Sequence, residues 1–120
     1  IVDRFLEHGR AFYFENGGAE EMYLSSADWM PRNLDRRVEL MFPVEDAVLK
    51  RRLKHMFEVT FSDNVKAHVL HPDGSWQRKG PSEGESEVRS QHVFYEEAKS
   101  YAQAGEPANR KEFSVRRKPL

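Results

Sequence analysis

Cysteine is absent from the 120 residues. That excludes disulfides and thiolate metal sites and is compatible with a reducing compartment. Long apolar runs are also missing. Nothing approaches the roughly 18–20 consecutive apolar residues of a membrane span, and no signal-peptide pattern is visible. Nor is there an excess of one charge: 19 Lys and Arg against 20 Asp and Glu leave a formal charge of −1, so global charge does not mark a nucleic-acid binder. What is present is an ordinary globular balance, 38% hydrophobic and 32% charged. It argues against disorder over most of the length and suits one domain with one core. Arginines cluster locally, at Arg32, Arg36 and Arg37 and at Arg51 and Arg52. The chain opens inside an apolar-rich element, Ile1-Val2-Asp3-Arg4-Phe5-Leu6, which reads as the boundary of a fragment. The expected location is cytoplasmic, at most peripheral to a membrane.

The pattern predicts a mixed α/β (α+β) domain. Residues 1–6 read as a strand. Arg10-Ala11-Phe12-Tyr13-Phe14 reads as a short buried strand, Asn16-Gly17-Gly18 as a turn, and residues 21–26 as the returning strand of a hairpin. Residues 27–35, with Pro31, form a loop or a single helical turn. Residues 37–42 give another strand, ended by Pro43. The clearest helix runs over 46–61, where Leu49, Leu53, Met56, Phe57 and Phe61 recur at three- and four-residue spacing. Val65–Leu70 suggests a short strand, 71–86 an exposed loop, and 87–103 a second helix, with Val88, Val93, Phe94, Ala98 and Tyr101 as buried positions. Residues 1–104 make the domain, and 105–120 a basic, flexible tail.

The residues that suggest chemistry lie between His8 and Glu39. His8, Arg10 and Glu15 form H-x-R-x4-E. On a strand, His8 and Arg10 would share a face. Histidine can exchange a proton near neutral pH or attack phosphorus, and arginine offers a planar fork for phosphate oxygens. The hairpin should return Ser25 and Ser26 to the end where His8 sits, with Asp28 and Arg32 close behind. Hydroxyls, strand-end amides and an arginine make a second patch suited to phosphate. Read without a motif, His55, His68, His71 and His92 are ordinary surface or structural histidines, and Trp29 with the aromatic strand is core. No cluster has metal-ligand spacing, so Mg²⁺ is expected to arrive on the phosphates of ATP.

The order H-x-(basic)-x4-(acid), then a serine-rich segment, then Arg and a later Glu, resembles a phospholipase D half-site. The chain departs from it at Arg10, Glu15 and Asp28, where that superfamily usually has Lys, Asp and Asn. The string Phe5-Leu6-Glu7-His8 and the fifteen residues SSADWMPRNLDRRVE, Ser25 to Glu39, more closely resemble the last catalytic domain of the polyphosphate kinase family. The likeness continues through Phe61-Ser62-Asp63-Asn64-Val65-Lys66-Ala67 and the helix containing Gln91. It implies a phospholipase-D-like mixed sheet flanked by helices, the C-terminal part of a four-domain, Mg²⁺-dependent homo-oligomer. Such an enzyme moves the terminal phosphate of ATP reversibly onto polyphosphate through a phosphohistidine held by an upstream domain. His8 is then the second, assisting histidine of the ATP pocket. Arg10, Ser25, Ser26 and Arg32 join it in binding phosphate, and Glu15, Asp28 and Glu39 order the site. The partners implied are ATP or ADP, polyphosphate and the upstream domains, without specific nucleic acid, and the fragment alone is expected to be inactive. Two other readings stand beside this one: a phosphodiesterase half-site and a non-catalytic polyanion-binding module.

Overall fold

The computed structural model describes residues 1–104, in the order β1 (Ala11–Phe14), β2 (Glu21–Ser25), α1 (Pro31–Arg36), β3 (Met41–Pro43), α2 (Ala47–Ser62), β4 (His68–Leu70), β5 (Trp76–Arg78) and α3 (Ser90–Gln103). The expected tail, 105–120, lies outside the described residues. The first three strands form an antiparallel sheet in the order β1-β2-β3, and β4 and β5 form a separate hairpin. The mixed α/β class expected from the sequence is the observed one. Among the described residues no helix is long and apolar enough to cross a membrane.

The β1–β2 turn follows from its residue types. Asn16, Gly17 and Gly18 take φ of 45°, 62° and 95°, a region that glycine enters freely and asparagine tolerates. The turn sets the register Ala11↔Leu24 and Phe14↔Glu21. The Ser25 amide donates to the Arg10 carbonyl at 2.9 Å, and the Ser26 amide to the Leu40 carbonyl at 2.9 Å. In an antiparallel ladder bonded and non-bonded pairs alternate, so odd-numbered residues of β2 bond to β1 and even-numbered ones to β3. Pro43, opposite Tyr23, occupies a non-bonded position. Its nitrogen, with no hydrogen to give, faces the open side of an edge strand.

Several expectations are corrected. Residues 1–6 are not a strand. They form a bent, extended segment with Leu6 86% exposed, because no neighbouring strand offers its backbone a ladder. The strand expected at 37–42 shrinks to Met41–Pro43, and Arg37–Leu40 serve as the approach to it. The turn expected near 27–35 is the helix α1, opened by Pro31 at its first position, where a missing N–H costs nothing. The loop expected at 71–86 contains β5. Its turn is closed by Asp73, whose Oδ1 accepts from the Ser75 amide at 2.9 Å, and by Gly74 at φ 84°. Two three-residue arms are too short to show a period in sequence. Helix α3 begins at Ser90, three residues later than expected, and α2 begins at Ala47, one residue later, behind its cap: Asp46 Oδ1 accepts from the Val48 and Leu49 amides at 2.8 and 2.9 Å.

Packing is anchored at one junction. Asp63, fully buried at the end of α2, accepts through Oδ1 from the amides of Val65, Lys66 and Ala67 and through Oδ2 from the Ser90 amide and hydroxyl. Burial alone would raise its pKa, but these bonds outweigh it and hold the group at about 2. Asn64 exchanges three bonds with Ser86 and Val88. The apolar core is small by contrast: Met22, Val44 and Val59 are the buried hydrophobic residues among those described. The predicted core stripe of α2 is only partly covered. Leu53 and Phe57 are half-buried, while Leu49, Met56 and Phe61 are exposed, as are Ala98 and Tyr101 on α3.

Candidate functional site

The site is assembled where β1 begins and β2 ends. His8 lies just before β1, in a coil rather than on the strand, and is exposed. The strand argument for a face shared with Arg10 therefore does not apply, and its position is set from behind. Two residues at the start of α3, Arg89 and Gln91, fasten the segment that leads to it, and Ser90 between them anchors the helix. Arg89 donates to both oxygens of Asp3, at 2.6 and 2.7 Å, and the Asp3 side chain is only 2% exposed. Ser90 is held by Asp63. Gln91 accepts from the Phe5 amide at 2.9 Å and donates to the Phe5 carbonyl at 2.7 Å and to Glu7 at 2.9 Å. Sequence reasoning met Gln91 only as part of a resemblance. Its one available signal was a carboxamide, which can donate and accept at once, in the first turn of a helix.

Arg10 is half-buried, and its Nε donates to Asp28 Oδ1 at 2.5 Å. The bond from Arg10 holds the Asp28 carboxyl below the usual carboxylate range, and the nearby charge of His8 adds to the effect. Asp28 in turn raises the pKa of the Arg10 guanidinium. Arg10 and Asp28 are thus paired by the return of β2 next to Arg10, with His8 two residues before Arg10 in the chain. The Ser25 hydroxyl accepts from the Ala27 amide at 3.0 Å. The Ser26 hydroxyl donates to Glu39 and accepts from the Leu40 amide at 3.0 Å. Glu39 thus ties the end of β2 to the approach to β3.

The remaining predicted residues divide. Arg32, on α1 four residues beyond Asp28, is exposed and has no ion pair among the described residues. Glu15 stands at the opposite end of β1, at the entry to the turn, where its carbonyl accepts from Gly18. No contact of Glu15 with Arg10 or His8 is among the hydrogen bonds of the described residues; Asp28 holds Arg10. Trp29 is not core: it is 82% exposed and stacks on Phe12 at 6.3 Å. Sequence reasoning passed over Asn33, which is 3% exposed. Its Nδ2 reaches the Asp28 carbonyl at 3.4 Å, and its Oδ1 has no partner.

This arrangement offers cations and hydroxyls to an anion. Its nearest carboxylates, Asp28 and Glu39, are already engaged by Arg10 and Ser26. The residues fit phosphate oxygens better than they fit a cation held by the protein alone.

Residues 1–91 match the family described as polyphosphate kinase C-terminal domain 2. A polyphosphate kinase of Rhodopirellula baltica is 49% identical over 117 residues, covering 98% of this chain and 14% of that protein. That of Pseudomonas aeruginosa is 51% identical over 96 residues, covering 80% of this chain and again 14% of the relative. The crystal structure of polyphosphate kinase from Porphyromonas gingivalis superposes with a TM-score of 0.76 at 40% identity, over 86% of this chain and 16% of that one. The chain spans about one-seventh of the length of these curated relatives, and it belongs to the polyphosphate kinase family, matching that family's C-terminal domain 2.

Proposed function

We propose that this chain forms one wall of the ATP and phosphate pocket of a polyphosphate kinase, an enzyme that moves the terminal phosphate of ATP reversibly onto polyphosphate through a phosphohistidine. The observation that carries the reading is the exposed His8 beside the Arg10–Asp28 pair, with Arg32 free to meet an anion.

Transfer of a phosphoryl group involves little covalent work by the protein and depends on positioning and on stabilising charge over the phosphate oxygens. Arg10, its Nε held by Asp28, keeps its terminal nitrogens for those oxygens. Arg32 contributes a second cation from α1. Ser25 offers a hydroxyl hydrogen that no acceptor among the described residues takes. His8 donates a proton or a charged hydrogen bond to the oxygen that departs as its bond to phosphorus breaks, and regains the proton in the reverse direction. Mg²⁺, carried on the nucleotide, would neutralise charge between phosphates. The histidine that stores the phosphoryl group belongs to a part of the enzyme outside these residues. By this reading the chain alone has no kinase activity, and the complete enzyme is a homo-oligomer.

The test uses the full-length enzyme, incubated with ATP and mapped for phosphohistidine. The label is expected on a histidine outside residues 1–120. Stable phosphorylation of His8, or turnover of a phosphate diester without ATP, overturns this division of roles.

A further inference from the structure

A cleft of about 80 Å³ lies between the start of the chain and the beginning of α3, lined by Arg4, Phe5, Arg89, Gln91, His92 and Tyr95. It shares no residue with the set around His8 and Arg10. Its volume is well below the roughly 300 Å³ at which pockets for drug-sized ligands begin, so it suits a single small ion and not a nucleotide. No carboxylate lines it, although acidic residues outnumber basic ones in the chain as a whole, 20 to 19. Two carboxylates of the flanking segment are already engaged. Asp3 takes the Nε and Nη2 of Arg89, and Glu7 accepts from Gln91. The donors of the cleft, by contrast, are unspent. Among the described residues no acceptor takes the Arg4 guanidinium, the Nη1 of Arg89, the His92 ring or the Tyr95 hydroxyl. Arg4 stands over the ring of Phe5 at 5.5 Å from its centre, a contact that steadies the guanidinium and leaves its N–H groups free at the rim.

We propose that this cleft binds one phosphate-class anion, either free orthophosphate or the terminal phosphate of a polyphosphate chain. Four unpartnered donors from two segments of chain suit a ligand with several oxygens and more than one negative charge. A carboxylate, with two oxygens in one plane, would leave some of them unmet. Arg4 and Arg89 bring planar N–H groups, which match phosphate oxygens. His92 and Tyr95, three residues apart on α3, share one face of that helix and supply a ring N–H and a hydroxyl from the other wall. The bound anion joins Arg4 to α3 beside the Arg89–Asp3 and Gln91–Phe5 contacts. It therefore reinforces the hold of α3 on the segment that leads to His8.

The readout is anion binding at Arg4 and His92, not phosphate transfer, so the proposal can fail while the reading of His8 stands. The experiment uses the full-length enzyme with its nucleotide pocket filled by a non-hydrolysable ATP analogue. Orthophosphate and, separately, polyphosphate are titrated in by calorimetry, on the wild type, Arg4→Gln and His92→Gln. Both side chains are exposed, and unchanged unfolding midpoints without phosphate establish that the variants fold. Loss of a charge-assisted hydrogen bond is expected to weaken saturable binding about tenfold or more in Arg4→Gln, and less in His92→Gln, with the affinity for the ATP analogue unchanged in both. Variant-sensitive binding of orthophosphate names the free ion as the source; sensitivity with polyphosphate alone names the chain end. Binding equal in the wild type and both variants, or no saturable binding in either arm, overturns the proposal. An equal loss of affinity for the ATP analogue assigns Arg4 to the nucleotide pocket and overturns it too.

Discussion

The junction at Asp63 and the site at His8 are built on opposite plans. At Asp63 a fully buried carboxylate receives five hydrogen bonds from two segments of chain, and the neighbouring Asn64 side chain satisfies both of its ends. At His8 the ring is exposed, and Arg32 stands in solvent without an ion pair among the described residues. The first region closes its polar groups upon themselves and so fixes a geometry. The second leaves the His8 ring and the Arg32 guanidinium open to solvent, where an incoming anion can reach them. Surface residues merely tolerated by the fold would be indifferent to both functions. Residues 89–91 join the two regions, because Ser90 belongs to the closed network while Arg89 and Gln91 on either side grip the segment that carries His8.

The largest break in this comparison comes from His8→Ala in the full-length enzyme. Turnover should fall by about a hundred- to ten-thousandfold, the worth of general acid–base assistance, while the unfolding midpoint stays unchanged. His8→Gln, which keeps a hydrogen bond but cannot transfer a proton, should be as slow. An active Gln variant would make the role positional, and wild-type rates in both would rebuild the site around Arg10 and Arg32. Asp63→Ala should do the reverse. It leaves five donors, the two of Ser90 buried, without their acceptor, which costs about 3 kcal/mol or more, read as an earlier denaturant midpoint. Activity at low temperature, where the domain stays folded, should suffer less than in His8→Ala.

Acid sharpens the same contrast. The Asp63 carboxyl sits at about 2 when folded, against about 3.9 for a free aspartate. A depressed folded value stabilises the protein above the unfolded pKa, and the contribution is lost as pH falls through the folded one. About 2 kcal/mol should therefore disappear between roughly pH 5 and pH 2. Urea titrations at stepped pH check this. In Asp63→Asn the loss over that window should shrink, because the titrating group is gone.

Much of this was legible in sequence, and the reasons are physical. The hairpin was readable because Asn16-Gly17-Gly18 demands positive φ and aromatic runs flank it. Helix α2 was readable because sixteen residues give its apolar period room to show and Asp46 caps it. The candidate site was legible only as residue types that phosphate chemistry can use, at His8, Arg10, Ser25, Ser26 and Arg32, with Glu15, Asp28 and Glu39 to order them. Partnership was not. Whether Arg10 would turn to Glu15 or Asp28 depends on β2 returning beside Arg10, a contact across 18 residues. The 1–6 segment misled because its apolar pattern is that of a strand, while its hydrogen bonds go to Lys66 and Gln91, far along the chain. The burial of α2 was overcalled for a related reason: periodicity shows which face is apolar, not whether anything covers it.

The smallest effect, and the finest test of how the two plans are linked, is Gln91→Ala. Gln91 touches neither Arg10 nor Asp28; it holds Phe5 and Glu7, and through them the backbone that presents His8. Its removal leaves the Phe5 amide and carbonyl and one Glu7 oxygen to water. All three lie at an exposed position, so stability should change by no more than about 1 kcal/mol. The ring of His8 would sample a wider range of positions, and reactions that depend on orientation are sensitive to shifts of about an ångström. We expect kcat to fall about tenfold, with the KM for ATP changed less than twofold, because Arg10 and Arg32 still meet the phosphates. In a His8→Ala background the same substitution should have almost no further effect, since it acts through the histidine alone. A Gln91→Ala loss of equal size in both backgrounds would show that Gln91 supports the fold generally, and that the closed junction does not position the open site.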